Sequence, residues 1–254
     1  MLEIYNLTKS YGDKKAVDDL TFTVNAGELC AFIGHNGAGK TTTLKCIAGI
    51  LGFDGGHIRV DGISVEDDAL EVKRRIAYIP DNPDLYDFMT GMQYLNFIAD
   101  VFGVSLEQRE ERIQKYGAAL SLSDEEIGSL ISSYSHGMKQ KLALISAFLH
   151  EPKLILLDEP FVGLDPRASH VLKDIMREFC KSGGAILFST HILEVAEKLC
   201  DKVVIIRNGK LVTAGSMEEV KGNASLEDVF LDMEEKPENS APNEDLSDDP
   251  FFED

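Results

Sequence analysis

Hydrophobic and polar residues alternate along residues 2–7 and again along residues 20–24, the period-two pattern of strands with one buried face. Asn25-Ala26-Gly27 reads as a turn into a second kind of run, residues 28–33, whose Leu29-Cys30-Ala31-Phe32-Ile33 stretch is apolar throughout. An unbroken apolar run of that length predicts a strand covered on both faces. The same pattern returns at residues 154–157, 185–188 and 203–206, while residues 57–60 predict a further strand closed by an Asp61-Gly62 turn. Residues 40–49 read as a helix, and helical stretches begin near Pro166 and Ile192. From about residue 81 to 150 the strand signal disappears. There Tyr94, Leu95, Ile98 and Phe102 fall on one face of a 3.6-period helix. The pattern predicts an α/β core in two sequence pieces, residues 1–80 and 151–231, with a helical subdomain between them.

Composition changes this picture at one end only. The 254 residues carry 25 Lys+Arg against 44 Asp+Glu, a net charge of −19. From Asp232 to the end ten acids stand against one base, Lys236, so nearly half of the excess sits in the last 23 residues. Acid, Pro, Asn and Ser cannot bury enough apolar area to offset ordering entropy, so residues 232–254 are expected to be a disordered tail. Its closing Pro250-Phe251-Phe252 leaves a short docking element as the alternative to a solvated end. The balance argues against nucleic acid as a partner, because phosphate neutralisation needs a clustered basic surface. No stretch approaches the ~20 apolar residues of a membrane span. Met1-Leu2-Glu3 offers neither the basic nor the apolar region of a signal peptide. Cys30, Cys46, Cys180 and Cys200 show no metal-ligand spacing, and buried reduced thiols in a cytosolic setting are the expectation.

The chemistry begins where the first buried strand ends. Gly34-His35-Asn36-Gly37-Ala38-Gly39-Lys40-Thr41 satisfies GxxxxGK[ST] between a strand and a helix, the context this phosphate cradle requires. Glycines let successive N–H groups point inward at phosphate oxygens, and the following helix brings its positive end to the same spot. Lys40 supplies a point charge to the β- and γ-phosphates, and Thr41, with Thr42 beside it, the hydroxyl expected on Mg2+. Leu154-Ile155-Leu156-Leu157 ends in Asp158 and Glu159. In a P-loop sheet this puts Asp158 where it can hold Mg2+, and Glu159 where it can orient or deprotonate the attacking water. A strand that merely ends in surface charge is the alternative.

With Tyr134-Ser135-His136-Gly137-Met138-Lys139-Gln140, Gly163-Leu164-Asp165-Pro166 and Ser189-Thr190-His191 in the same order, the chain resembles the ATPase subunit of an ATP-binding-cassette transporter over residues 2 to about 232. It is most similar to single-cassette subunits of bacterial-type exporters. The resemblance implies a P-loop NTPase core, a mixed sheet flanked by helices with an antiparallel β subdomain, plus the inserted helical subdomain. It implies ATP and Mg2+ as cofactors, a second ATPase subunit (a homodimer before a heterodimer), an integral membrane permease, and a place at the cytoplasmic face of the cell membrane. It also implies roles for single residues. Tyr11 matches the aromatic that stacks on adenine; Ser135 and Gly137 match the signature loop that meets the γ-phosphate of the opposite subunit. Asp165 matches the loop crossing the dimer interface, and His191 the histidine that touches the γ-phosphate. From the residues alone the structural readings are favoured: Tyr11 as a structural tyrosine, Ser135 as a helix N-cap, and His191 as a surface or capping histidine.

Two departures stand out. The family's glutamine before the helical subdomain is Asp81 here, one methylene shorter and charged, which leaves open tighter metal binding, binding through water, or none. The signature carries Tyr134 for leucine, His136 for the first glycine and Met138 for glutamine, with the backbone N–H groups kept. Residues 81–103, with Leu85, Tyr86, Phe88 and Met89, are either subdomain core or the rim of a groove for the permease. A family ATPase without a permease is the second functional reading. A non-hydrolysing module or kinase is disfavoured by Glu159 and His191, which serve water attack.

Overall fold

Leu2, Ile4 and Leu7 stand opposite Val24, Phe22 and Leu20 in the antiparallel pair β1 (Leu2–Tyr11) and β2 (Lys14–Val24), and all six are buried. With β4 (Gly55–Val60) and β5 (Ile63–Ser64) they form a four-stranded sheet in the order β2-β1-β4-β5. The computed structural model describes residues 1–235 and holds a second, six-stranded sheet, order β10-β9-β3-β8-β7-β6. Its strands are β3 (Leu29–Ile33), β6 (Ile76–Ile79), β7 (Leu154–Asp158), β8 (Ala185–Thr190), β9 (Lys202–Arg207) and β10 (Lys210–Ser216). All neighbours are parallel except β10 on β9.

Burial on both faces follows from period two. Leu29, Ala31 and Ile33 of β3, with Ile155 and Leu157 of β7, belong to one apolar cluster; Cys30 and Phe32, with Leu154 and Leu156, belong to the other. The second cluster contains the inward residues of the antiparallel sheet and Leu44 and Ile47 of α1 (Lys40–Ile47). A short helix α2 (Ala69–Arg75) leads into β6. The first cluster is closed by α3 (Gly91–Val101), α4 (Leu106–Ala119), α5 (Asp124–Gly128) and α6 (His136–Leu149), which lie between β6 and β7 in sequence. Side-chain capping boxes start α3, α4 and α5 at Thr90, Ser105 and Ser123, each worth roughly 1 kcal/mol to its helix. Leu142 to Leu149 of α6 are all buried, so this helix is apolar all round through its C-terminal half.

Helices α7 (Pro166–Lys181), α8 (Leu193–Leu199) and α9 (Met217–Lys221) complete the core. The last described element, α10 (Leu226–Glu235), corrects one boundary: it is helical through residues 232–235, where composition alone starts the tail. Leu226 is fully buried, and Arg207 Nη1 donates to the Met233 carbonyl at 2.7 Å, so packing and a C-terminal cation outweigh the acidic composition. The rest of the expected tail, with Phe251 and Phe252, lies outside the described residues. The four cysteines are buried and free, and burial pushes the Cys46 thiol up to about 11, so they behave as small apolar groups. No helix among the described residues is long and apolar enough to cross a membrane.

Candidate nucleotide site

The site lies at the C-terminal ends of β3 and β7, where residues pass from strand to loop. The P-loop leaves β3 and turns into α1 through Gly39, at φ +110. A side chain there would put its Cβ 2.4 Å from the Ala16 carbonyl of β2, so only glycine fits both the angle and the space. The Ala38 carbonyl accepts from Gly209 N at 2.9 Å, pinning the loop to the β9–β10 turn. No side chain caps the start of α1, which leaves its first N–H groups pointing into the loop. Lys40 is 7% exposed, and its Nζ donates to the carbonyls of Gly34 (2.6 Å) and His35 (3.2 Å). Burial lowers its ammonium pKa, partly offset by the charges of Glu159 and Asp158.

Asp158 is in phase with Leu154 and Leu156, so its carboxylate emerges on the α1 side of the sheet. There it accepts from Thr41 Oγ1 at 2.6 Å and from Ser189 Oγ at 2.5 Å, and it is 2% exposed. Parallel register sets the second partner: Asp158 stands opposite Ser189 of β8. Glu159 follows at φ +48, a left-handed conformation that costs a non-glycine residue roughly 1 kcal/mol or more. Its N–H is held by the Ser189 side chain (3.0 Å) and carbonyl (3.2 Å). The turn directs its carboxylate to His191, whose Nδ1 donates to Glu159 Oε2 at 3.0 Å. That bond fixes the imidazole tautomer and holds a carboxylate with its free oxygen beside the cleft.

One cleft is lined by Tyr11, Lys14, Ala16, Asn36, Gly37, Gly39, Lys40, Thr41, Thr42, Asp81, Asp158 and Glu159. Of the candidates named from the sequence, it gathers Asn36, Gly37, Gly39, Lys40, Thr41 and Thr42 of the P-loop, Tyr11 and the three acids, while Gly34, His35, Ala38 and His191 are not on its wall. Tyr11 is half exposed at the end of β1, with the Lys9 ammonium 5.7 Å from its ring centre. Asp81, just past β6, is exposed and its Oδ1 accepts from Asn82 N at 2.9 Å. His35 is P-loop backbone whose ring turns to the Asn36 carbonyl.

Ser135, Gly137 and Asp165 lie elsewhere. Ser135 caps α6, accepting from Met138 N at 3.3 Å. Gly137 lies against Gly163: a Cβ on Gly137 would sit 2.7 Å from the Gly163 carbonyl, and one on Gly163 would strike the His136 ring. Asp165 caps α7 through Ala168 N (2.8 Å) and pairs with Lys141 of α6 at 3.2 Å. The signature loop and the Gly163–Pro166 turn therefore form one unit, apart from the cleft.

Sequence and fold comparisons agree with this geometry. Residues 17–162 match the ABC transporter family. This chain belongs to that family. It is 40% identical over 238 residues to the uncharacterized ABC transporter ATP-binding protein YxlF of Bacillus subtilis (strain 168), covering 94% of this chain and 78% of that one. It is 34% identical to the ABC-type transporter ATP-binding protein EcsA of the same organism, over 91% and 94% of the two chains. A solved ATP-binding subunit of an ABC transporter superposes with a TM-score of 0.88 at 37% identity, covering 92% of this chain and 99% of that one. The chain is thus an ATP-binding subunit of the ABC type and an ATPase, built on the P-loop cassette fold.

The donor set suits a hard divalent ion. Thr41 spends its one O–H on Asp158 and keeps lone pairs for a cation, and the remaining donors are carboxylates. Among the described residues no three His, Cys, Asp or Glu groups cluster tightly enough to hold a metal unaided. Mg2+ fits that pattern, because it takes one or two carboxylates, several waters and the nucleotide's own phosphates. Sequence reading gave no role to Ser189, Lys14 or Ala16. The strand register that brings Ser189 to Asp158, and the fold of the β1–β2 hairpin over the P-loop, are long-range facts with no local signal.

Proposed function

We propose that this ABC ATPase hydrolyses ATP between two facing copies of itself and thereby drives export of a substrate through a separate integral membrane permease, from the cytoplasmic face of the cell membrane. The observation that carries the proposal is the separation just described. Phosphate-binding groups line the cleft around residues 34–42, while an exposed helix N-terminus capped by Ser135 lies outside it. A second copy, head to tail, brings the α6 end over the γ-phosphate with its free N–H groups and positive dipole. Within each cleft Tyr11 stacks on adenine, and Lys40 and the loop N–H groups hold the phosphates. Thr41, Asp158 and Asp81 are the residues that would hold Mg2+. When bound, that ion neutralises charge developing on the β- and γ-oxygens. Glu159, steadied by His191, takes the proton of the attacking water.

An exposed aromatic group supports the permease as partner. Tyr86, Phe88 and Phe97 are 46%, 76% and 40% exposed at the start of the helical insertion, Phe88 tilted against the Tyr86 ring at 5.7 Å and Phe97 edge-on to it at 5.9 Å. Resemblance to single-cassette exporter subunits supports the direction of transport. The test is Glu159→Gln in the full chain with ATP and Mg2+, read by sedimentation and phosphate release. Loss of a general base slows turnover 10²- to 10⁴-fold, and the unhydrolysed nucleotide should hold the chain as a dimer. A monomer with undiminished turnover refutes the assignment, and recovery without an integral membrane protein on pull-down from native membranes refutes the permease.

A further inference from the structure

Tyr78 is a residue that neither motif nor family reading singles out. It stands on β6, opposite Leu156 of β7. Its ring packs into the cluster that holds Leu154, Leu156, Leu44 and Ile47, on the α1 side of the sheet. Two residues beyond Leu156 on that same face is Asp158, and three residues beyond Tyr78 is Asp81. The Tyr78 hydroxyl is buried and has no hydrogen-bond partner among the described residues. Burial first, then the negative charges of Asp158 and Asp81, push its phenol well above the usual range. The hydroxyl keeps an unspent donor on the face of the sheet that carries Asp158, and a phenylalanine would fill the same space without an orphaned group.

We propose that the Tyr78 hydroxyl is a positioning group for the metal end of the nucleotide, turning to donate to a carboxylate of the Asp158–Asp81 pair when the metal-loaded nucleotide seats. The ion would draw on both carboxylates, and a donor on the face that carries Asp158 would fix their orientation. The inference rests on the reading of Thr41, Asp158 and Asp81 as the metal side of the site.

Tyr78→Phe in the full chain tests it. Three quantities are measured: the melting temperature without ligand, ATP affinity in excess chelator, and the Mg2+ concentration giving half of the ATP-dependent thermal stabilisation. The expected result is an unchanged or higher ligand-free melting temperature and metal-free ATP affinity within two-fold of the parent. The Mg2+ half-point should rise five- to twenty-fold. A lower melting temperature means the hydroxyl already has a protein partner and overturns the proposal. So does a half-point within two-fold of the parent, or a metal-free ATP affinity that falls along with it, the sign of a packing role alone. Thr41→Val run alongside separates the layers. If it leaves the half-point untouched, the metal reading falls and this inference with it; if it shifts the half-point and Tyr78→Phe does not, only the Tyr78 role fails.

Discussion

Removing the two hydroxyls that grip Asp158 should cost stability in a definite order. Thr41→Val keeps shape and removes one donor from a carboxylate that is 2% exposed. A hydrogen bond to a charged group contributes about 1.5–3 kcal/mol. Thr41 itself is exposed, so water can re-solvate that oxygen, and the lower end applies. For a domain of this size 1.5 kcal/mol lowers the melting temperature by about 3–6 °C. Ser189 is fully buried, so Ser189→Ala removes its donor where water cannot replace it. Glu159 N keeps the Ser189 carbonyl as an acceptor, and the loss is confined to Asp158. That places Ser189→Ala near 3 kcal/mol, about 6–12 °C. Together the two changes leave a buried charge with neither hydroxyl, so the double variant should lose more than the sum of the singles, by about 1 kcal/mol. The assay is urea unfolding at pH 7 in chelator, with melting curves as a check. Equal losses, a reversed order, or strict additivity would refute the picture of one buried carboxylate held between a wet donor and a dry one.

Two further perturbations test elements outside the cleft. Gln140 of α6 is fully buried and neither its amide nitrogen nor its oxygen has a partner among the described residues; Gln140→Leu should therefore raise stability, by about 1–2 kcal/mol in urea unfolding, and any loss contradicts the burial argument. The Asp165 carboxyl is held below its usual value by Ala168 N first and by Lys141 second. A depressed acid adds stability above its unfolded value of 3.8 and loses it as pH falls through the lower folded value, so the stability gap between the parent and Asp165→Asn should stay level from pH 8 to about 4.5 and close below that.

Buried strands were the most legible part of the fold because their apolar runs need no partner to be read: β3, β7 and β8 are buried at every position. The hairpin strands extend further than their alternation. β1 carries Asn6 at φ +50 and a register shift between Ile4 and Leu7, and β2 carries Asp19 at φ +57, so each bulge ends the period-two signal inside a continuing strand. Edge strand β10 gave no signal because none of its seven residues is buried. The P-loop announces itself since its glycines, lysine and threonine are contiguous. Everything that crosses the chain does not: Ser189 on Asp158, His191 on Glu159, and Lys141 on Asp165 bridge 31, 32 and 24 residues. Register and helix docking create those pairs, and neither is written locally.

If two copies pair as proposed, those long-range contacts also give one subunit a route to sense its neighbour. Gly137 and His136 at the start of α6 press on Gly163, and one turn along Lys141 holds Asp165. The same turn begins at Glu159, whose backbone N–H and carboxylate are fixed by Ser189 and His191. On that proposal, an anion drawn to the α6 N-terminus from a facing copy would pull on a segment whose other end is Glu159, five residues from Leu164 and six from Asp165. Within that segment the chain turns twice through positive φ, at Glu159 (+48) and Gly163 (+80). In the proposed pairing, closure over one nucleotide and the placing of Glu159 in the other site would share a single covalent path.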